Sequence, residues 1–189
     1  MSVKTPWLEA TGEYFHVYNR GVDRSKIFFD SGNYAFFLAR MQKYLDPSLS
    51  MISYCLMPNH FHLLVRQDSP RAISKYLGLV CKSYVKAINV RKSRTGHLFE
   101  GKYKLKHVGE EQYLIHLSRY IHLNPVRARL VKHAEDWIYS SCQEYYGLRT
   151  GELVHCESLL SELGDAATYR RFVEGYIPED RNKLTGCLF

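Results

Sequence analysis

The sequence lacks the features that mark membrane, secreted and disulfide-rich proteins. No apolar run approaches the roughly 18 residues that a membrane helix needs. The opening segment MSVKTPWLEATGEY lacks the charged-then-apolar pattern of a secretory signal. The five cysteines are scattered, odd in number and include no C-x-x-C pair, which argues against a disulfide framework or a thiolate zinc site. We therefore expect a cytoplasmic protein without membrane contact, whose cysteines are reduced.

Acidic residues are scarce in the middle of the chain. The formal net charge is +7, and the balance of basic over acidic residues is +3 for residues 1–81, +9 for 82–132 and −5 for 133–189. The length of 189 residues and a hydrophobic fraction of 46% suit one domain, or one domain with a small appendage. A basic excess confined to one segment predicts a surface that meets a polyanion, with nucleic acid favoured over an idle basic surface.

Hydrophobic periodicity predicts a β-α-β-β-α-β order followed by a further helix. The predicted elements are strand 13–20, helix 34–45, strands 50–57 and 60–67, a helix from 70 to about 90, strand 102–108 and helix 110–123. The dipeptide Asn124-Pro125 is expected to end the last helix. This order is typical of an α+β, ferredoxin-like βαββαβ core. We expect an antiparallel sheet with helices on one face and the other face open to a partner.

Two histidines separated by one residue give the sharpest local signal. The segment PNHFHLLV places His60 and His62 on one predicted strand, where residues i and i+2 point to the same face. Phe61 between them would then face the helices. Two adjacent imidazoles on an open face can hold a metal ion. Paired histidines on a solvated strand are also common, so both interpretations stay open at this point.

The helix YLIHLSRYIHLNP carries a second group of polar side chains. Tyr120 and Asn124 are four residues apart and share a face, beside the apolar stripe Leu114, Leu117 and Ile121. The side-chain amide oxygen of Asn124 could act as a third metal ligand, with Tyr120 one turn away. The structural alternatives are a core aromatic for Tyr120 and a C-terminal helix cap for Asn124.

The segments YCLMPNHFHLLV and RYIHLNPVRARLVKHAEDWIYSS together resemble the single-tyrosine HUH transposases of the insertion-sequence type, and especially the REP-associated tyrosine transposases. HUH denotes histidine, a hydrophobic residue and histidine. The resemblance runs from about Tyr14 to Tyr146, with both segments in the same order and spacing. It implies a ferredoxin-like catalytic domain over residues 1–146 and a helical C-terminal extension over 147–189. The segment FEGKY at 99–103 departs from the Trp-Gln-x-Arg-like segment of related sequences.

The resemblance implies a DNA transposase that cuts and rejoins DNA through a 5′-phosphotyrosine. By position in the motifs, Tyr120 would be the nucleophile, with Tyr113 ranked second, and His60, His62 and Asn124 would bind Mg²⁺ or Mn²⁺. Single-stranded or hairpin DNA is the implied partner, and some members of the wider family are homodimers. The alternative is a domesticated DNA-binding protein that keeps the fold but has little or no mobility function.

These residue types suit the chemistry that the resemblance implies. A divalent cation on a nonbridging phosphate oxygen withdraws charge and stabilises the crowded transition state. A phenol has an ordinary pKa of about 10, so a nearby cation must help to remove its proton. The aryl phosphate that forms keeps the bond energy, so the liberated 3′-OH can rejoin the strand without ATP.

The basic middle segment would supply contacts to the DNA backbone. Lysine and arginine side chains can follow phosphates, and interleaved aromatic rings can stack on unpaired bases. We expect some of these side chains only to solvate the surface. The predicted DNA-binding residues are Lys82, Lys86, Arg91, Lys92, Arg94, Lys102, Tyr103, Lys104 and Lys106.

Overall fold

A computed structural model describes residues 8–109 and 111–175. No helix in these two ranges is both long and apolar enough to cross a membrane. The strands are β1 (Glu13–Arg20), β2 (Leu49–Met57), β3 (His60–Gln67) and β4 (Lys104–Val108). The helices are α1 (Ser31–Tyr44), α2 (Ala72–Arg91), α3 (Glu111–Arg127), α4 (Cys142–Tyr145), α5 (Glu157–Leu163) and α6 (Ala166–Glu174).

The four strands form one antiparallel sheet in the order β2-β3-β1-β4. This order and the βαββαβ connection are those of a ferredoxin-like core, so the predicted α+β fold is confirmed. The alternation of side chains along β1 and β3 fixes their register, which places Tyr18 opposite His62. On its other side, β1 places Tyr18 opposite Lys104 of β4.

Helices α1 and α2 pack against each other on one face of the sheet. Asp30 caps α1, since its side-chain oxygen accepts the Asn33 N–H at 2.9 Å. The ring of Phe37 on α1 lies 5.5 Å from that of Phe61 on β3 and 4.9 Å from that of Tyr84 on α2. Phe61 therefore faces the helices as predicted, and the histidines on either side of it face away from them.

The opposite face of the sheet is not open, which corrects the expectation from the sequence. Helix α3 packs on β2, β3 and β4, and its residues Leu117 and Ile121 are fully buried. An amphipathic helix that follows the last strand can bury its apolar stripe against the uncovered face, and local periodicity does not show this long-range docking.

Helix α3 also continues past the position where it was expected to end. It runs to Arg127 with Pro125 inside it. Proline has no N–H, so the helix loses the hydrogen bond to the Ile121 carbonyl, but Ala128 N–H still donates to Asn124 O at 2.9 Å. The free energy gained by burying the apolar side of α3 on the sheet is larger than the free energy lost with this one hydrogen bond.

The C-terminal helices join the same hydrophobic core. Tyr145 on α4 and Tyr169 on α6 are fully buried, with ring centroids 4.6 Å apart. Helix α6 contacts α3, α4 and α5. The division into a catalytic domain ending at residue 146 and an extension beginning at 147 stays a prediction. Buried residues on both sides of this boundary belong to one hydrophobic core cluster. The four described cysteines, Cys55, Cys81, Cys142 and Cys156, are free thiols; Cys187 lies outside the described residues.

The turn after β1 depends on a glycine. A Cβ at Gly21 would lie 2.1 Å from the backbone oxygen of Ser25, and the Gly21 N–H donates to Asn59 O at 2.8 Å. We expect Gly21→Ala to lower the free energy of unfolding by about 1–3 kcal/mol, because the backbone must move to relieve the overlap. The exposed helical Gly78 is the matched control: its Cβ would have no atom within 4 Å.

Gly78→Ala should raise the free energy of unfolding by up to about 1 kcal/mol, since alanine loses less conformational entropy in a helix. Urea unfolding of the two variants and the wild type measures both effects. Equal stability of Gly21→Ala and wild type would show that the turn relaxes at no cost.

Candidate active site

Strand β3 begins directly after a tight turn and carries the two predicted metal-binding histidines. The N–H groups of Ile27 and Phe28 both donate to Pro58 O, at 2.8 and 3.0 Å, which holds this turn against the loop after β1. The rings of His60 and His62 project from the same face, with centroids 5.0 Å apart. The structure confirms the prediction that they project together.

His60 is oriented by its neighbour in the turn. Its Nδ1 atom lies 2.7 Å from Asn59 Oδ1, which directs the opposite nitrogen, Nε2, away from the turn. Burial, together with the charge of Arg20 opposite it on β1, lowers the pKa of His60 to about 4. A neutral imidazole keeps the lone pair that metal coordination requires.

His62 is fully buried and contacts a third histidine, His16 on β1. The Nδ1 atom of His62 lies 2.9 Å from His16 Nε2, and the two rings stack with centroids 5.0 Å apart. Burial lowers the pKa of His62 well below its ordinary value, and the neighbouring His16 and His60 lower it further. Burial likewise lowers the pKa of His16 to about 3, with Lys106 as a second cause.

The sequence analysis missed His16 as a member of the site. The signal was present in the alternation of Tyr14, His16 and Tyr18 along β1. Alternation puts His16 on one face of the sheet, but only the register with β3 shows that this is the face of His62.

Helix α3 brings Tyr120 to the histidines. The Tyr120 ring lies 5.7 Å from the His62 ring, centroid to centroid, at an angle of 77°, and Tyr120 is only 5% exposed. The Arg127 guanidinium lies 5.1 Å from the centre of the Tyr120 ring. Tyr113, the second choice from the sequence, is two turns earlier on α3, about 10 Å along the helix axis.

Asn124 lies one turn beyond Tyr120 and is half-buried. Its side-chain amide donates to the Tyr120 carbonyl oxygen at 2.9 Å, which uses the nitrogen and keeps Oδ1 as the atom to offer to a cation. Within the described part of the chain, no three His, Cys, Asp or Glu side chains form a metal cluster. A third protein ligand beside His60 and His62 would then be a donor of another kind, such as an amide oxygen, and two neutral imidazoles with one amide would fit a divalent cation with open positions.

Basic residues of β4 extend the site across the sheet. Lys104 lies opposite Tyr18 and Lys106 opposite His16, so both project from the face that carries His62. A cavity of about 240 Å³ opens beside Lys104. It is lined by Tyr18, Asn19, Arg20, Glu100, Gly101, Lys102 and Lys104. Arg20 forms an ion pair with Glu100, which anchors the 99–103 segment beside the end of β1.

The predicted DNA-binding residues divide between two sides of the molecule. Lys82 and Lys86 are exposed on α2, which packs on the sheet face opposite the histidines. The C-terminal end of α2 and the loop after it make local contacts: Arg91 pairs with Asp30 at 3.3 Å, Lys92 lies 5.1 Å from the Phe29 ring centre and Arg94 donates to His97 O at 3.3 Å.

Tyr103 also turns away from the histidines. Its hydroxyl lies 2.8 Å from Ser74 Oγ on α2, so its ring is held between β4 and the helical layer. Of the predicted set, the structure thus brings Lys104 and Lys106 to the histidine side, whereas Lys82 and Lys86 lie on the other side. Lys102 lies at the edge between them, because it lines both the cavity beside Tyr18 and a pocket next to α2.

The chain is similar to one family and to solved structures of transposases. The family described as "Transposase IS200 like" matches residues 11–124, which include both histidines, Tyr120 and Asn124. The structure of a REP-associated tyrosine transposase bound to a REP hairpin has a TM-score of 0.61 and 18% identity, covering 76% of this chain and 88% of that chain. That likeness shows a shared fold.

A protein from Deinococcus radiodurans described as a candidate transposase has a TM-score of 0.39 and 17% identity, covering 59% of this chain and 91% of that chain. No curated protein sequence matches the chain significantly.

Proposed function

The chain belongs to the IS200-like transposase family, and from this premise we propose that it cuts and rejoins single-stranded or hairpin DNA with Tyr120 as the nucleophile. His60, His62 and Asn124 are the proposed ligands of a divalent cation, Mg²⁺ or Mn²⁺. The contact between the Tyr120 and His62 rings, with centroids 5.7 Å apart, carries the proposal. Hairpin DNA is proposed because the solved REP-associated tyrosine transposase of the same fold is bound to one.

The proposed reaction transfers a phosphate between two oxygen atoms. The Tyr120 hydroxyl oxygen attacks the phosphorus, the bond from phosphorus to O3′ breaks, and the 5′-phosphate stays on the tyrosine. The phenol loses its proton and O3′ gains one, so a 3′-OH is released. Attack by that 3′-OH on the phosphotyrosine reverses the step. The Arg127 guanidinium, 5.1 Å from the centre of the Tyr120 ring, adds positive charge next to the proposed position of the phosphate.

The proposed cation site uses the Nε2 atoms of the histidine pair, of which that of His62 is buried. Both Nδ1 atoms are engaged, by Asn59 and by His16, so Nε2 is the nitrogen that each ring would offer. When bound, a divalent cation would withdraw charge from a nonbridging phosphate oxygen and orient the phosphate for attack. Two imidazoles favour Mn²⁺ over Mg²⁺ by intrinsic affinity, and availability in the cell decides between them.

A covalent-adduct assay tests the proposed function. Wild-type protein is incubated with a labelled hairpin oligonucleotide and Mn²⁺, and a protein–DNA adduct that survives denaturation is the expected product. The adduct should disappear with a chelator and in His62→Ala, which removes one proposed ligand. DNA binding without an adduct on any of a panel of hairpins would instead favour the domesticated DNA-binding protein. An adduct that persists with a chelator would contradict the metal site.

The position of the lysines predicts which of them contact DNA. The double variant Lys104→Ala/Lys106→Ala should weaken DNA binding and flatten its salt dependence, by about 0.7 in the slope of log K against log [salt] for each single-strand phosphate that is no longer neutralised. Lys82→Ala/Lys86→Ala removes the same charge from the opposite side of the sheet and is the matched control. Fluorescence anisotropy across a salt series measures both slopes, and equal slopes for the two variants would contradict this DNA path.

The oligomeric state stays a prediction. A homodimer is the proposed alternative to a monomer, and light scattering coupled to size-exclusion chromatography distinguishes them by mass.

A further inference from the structure

The ring of His16 is a buried polar group that the proposed reaction does not use. It has no exposed surface, and its Nε2 lies 2.9 Å from His62 Nδ1. Its other nitrogen, Nδ1, is buried without a hydrogen-bond partner among the described residues. A polar ring in this position costs stability relative to an apolar side chain of similar volume, because one of its nitrogens loses its hydrogen bonds to water.

The bond between the two rings determines which nitrogen of His62 can bind a cation. A neutral imidazole carries one proton, so one ring nitrogen donates and the other has a lone pair. If His62 Nδ1 donates its proton to His16 Nε2, then His62 Nε2 has the lone pair. If the proton lies on His16 Nε2, His62 Nε2 carries a proton and cannot coordinate. The same 2.9 Å contact therefore permits a ligating and a non-ligating tautomer of His62.

We propose that His16 is a positioning residue for the cation site: it accepts the Nδ1 proton of His62 and so presents His62 Nε2 to the cation. This inference rests on the proposed function, in which His62 is a ligand. Stacking of the two rings at an angle of 22° also restricts the plane of the His62 ring. Acceptors of this kind usually orient metal-binding histidines and raise their basicity.

The structure places His16 Nε2 2.9 Å from His62 Nδ1, where it can accept the His62 proton. His62 and His16 come from adjacent strands, and the neighbours of His16 in its cross-strand row are Leu64 on β3 and Lys106 on β4. The residue beyond Leu64 in that row, Ser53 on β2, is also fully buried, and its hydroxyl has no partner among the described residues.

Titration of the metal-free protein with Mn²⁺ alone, with the free ion measured by electron paramagnetic resonance, tests the inference. His16→Leu removes the acceptor and should weaken Mn²⁺ binding about 10–100-fold. His16→Gln keeps an oxygen that can accept the His62 proton and should restore most of the affinity. Ser53→Ala removes a buried polar group from the same row without touching His62 and should bind Mn²⁺ as the wild type does.

Thermal unfolding of each variant separates a positioning role from a structural one, because His16→Leu should lose affinity without losing stability. Nitrogen-15 spectra of the Mg²⁺-saturated wild type provide a second readout, with the proton of His62 expected on Nδ1. Equal Mn²⁺ affinity of His16→Leu and wild type would overturn the inference alone, and a His62 proton on Nε2 would overturn both the inference and the role of His62 as a ligand. Failure of the wild type to bind Mn²⁺ would overturn the proposed cation site and this inference with it.

Discussion

Tyr120→Phe is expected to abolish the covalent protein–DNA adduct while the fold and Mn²⁺ binding stay intact. The substitution removes a single oxygen atom, the proposed nucleophile, and keeps the ring that packs 5.7 Å from His62. Loss of a covalent nucleophile stops the reaction path rather than slowing it, so the decrease should exceed the effect of any single lysine substitution.

Tyr113→Phe is the matched control because it removes the same atom from the same helix. It should form the adduct at the wild-type level, since Tyr113 lies two turns away. Denaturing gels with labelled hairpin DNA measure the adduct, and mass spectrometry of the tryptic peptide identifies the modified tyrosine. An adduct that persists in Tyr120→Phe but disappears in Tyr113→Phe would move the nucleophile to the second candidate.

The second large effect is expected in the buried network that ties α6 to α3. The Tyr169 hydroxyl lies 2.8 Å from Ser118 Oγ and 2.7 Å from His122 Nδ1, and the other nitrogen of His122 lies 2.8 Å from Ser141 Oγ. Tyr169→Phe leaves two buried polar groups without this partner and should lower the free energy of unfolding by about 1–3 kcal/mol. Tyr169→Ala also opens a cavity, and about 3–5 kcal/mol is expected.

Urea unfolding at neutral pH measures these losses against a tyrosine with no such role. Tyr44→Phe removes the hydroxyl of a half-buried tyrosine that makes no hydrogen bond to another described residue, so it should change stability little. If Tyr169→Phe proved as stable as Tyr44→Phe, the network would contribute nothing to holding α6 on the core.

Local patterns predicted much of the fold because short-range rules control them. The bounds of β1 and β3 agree with the sequence prediction, since alternation and the turns at their ends are visible within ten residues. The same alternation correctly placed His60 and His62 on one face. Helical spacing singled out Tyr120 and Asn124, the resemblance to a family supplied the role of Tyr120 as nucleophile, and the structure places Tyr120 beside His62.

Long-range packing explains what the sequence prediction lacked. The sheet face that carries the histidines was expected to be open, but α3 covers it, because docking of a helix depends on partners far along the chain. Pro125 was expected to end α3, but tertiary contacts carry the helix through it. His16 lies 46 positions before its partner His62, so only the strand register could reveal the pair.

The position of α3 over the sheet of its own chain has a genetic consequence. Tyr120 lies beside His62 of the same polypeptide, so one molecule contains every group that the proposed reaction needs. A copy lacking the phenol and a copy lacking an imidazole each have an incomplete set. If the protein acts as a monomer, two such defective alleles expressed together should not complement each other.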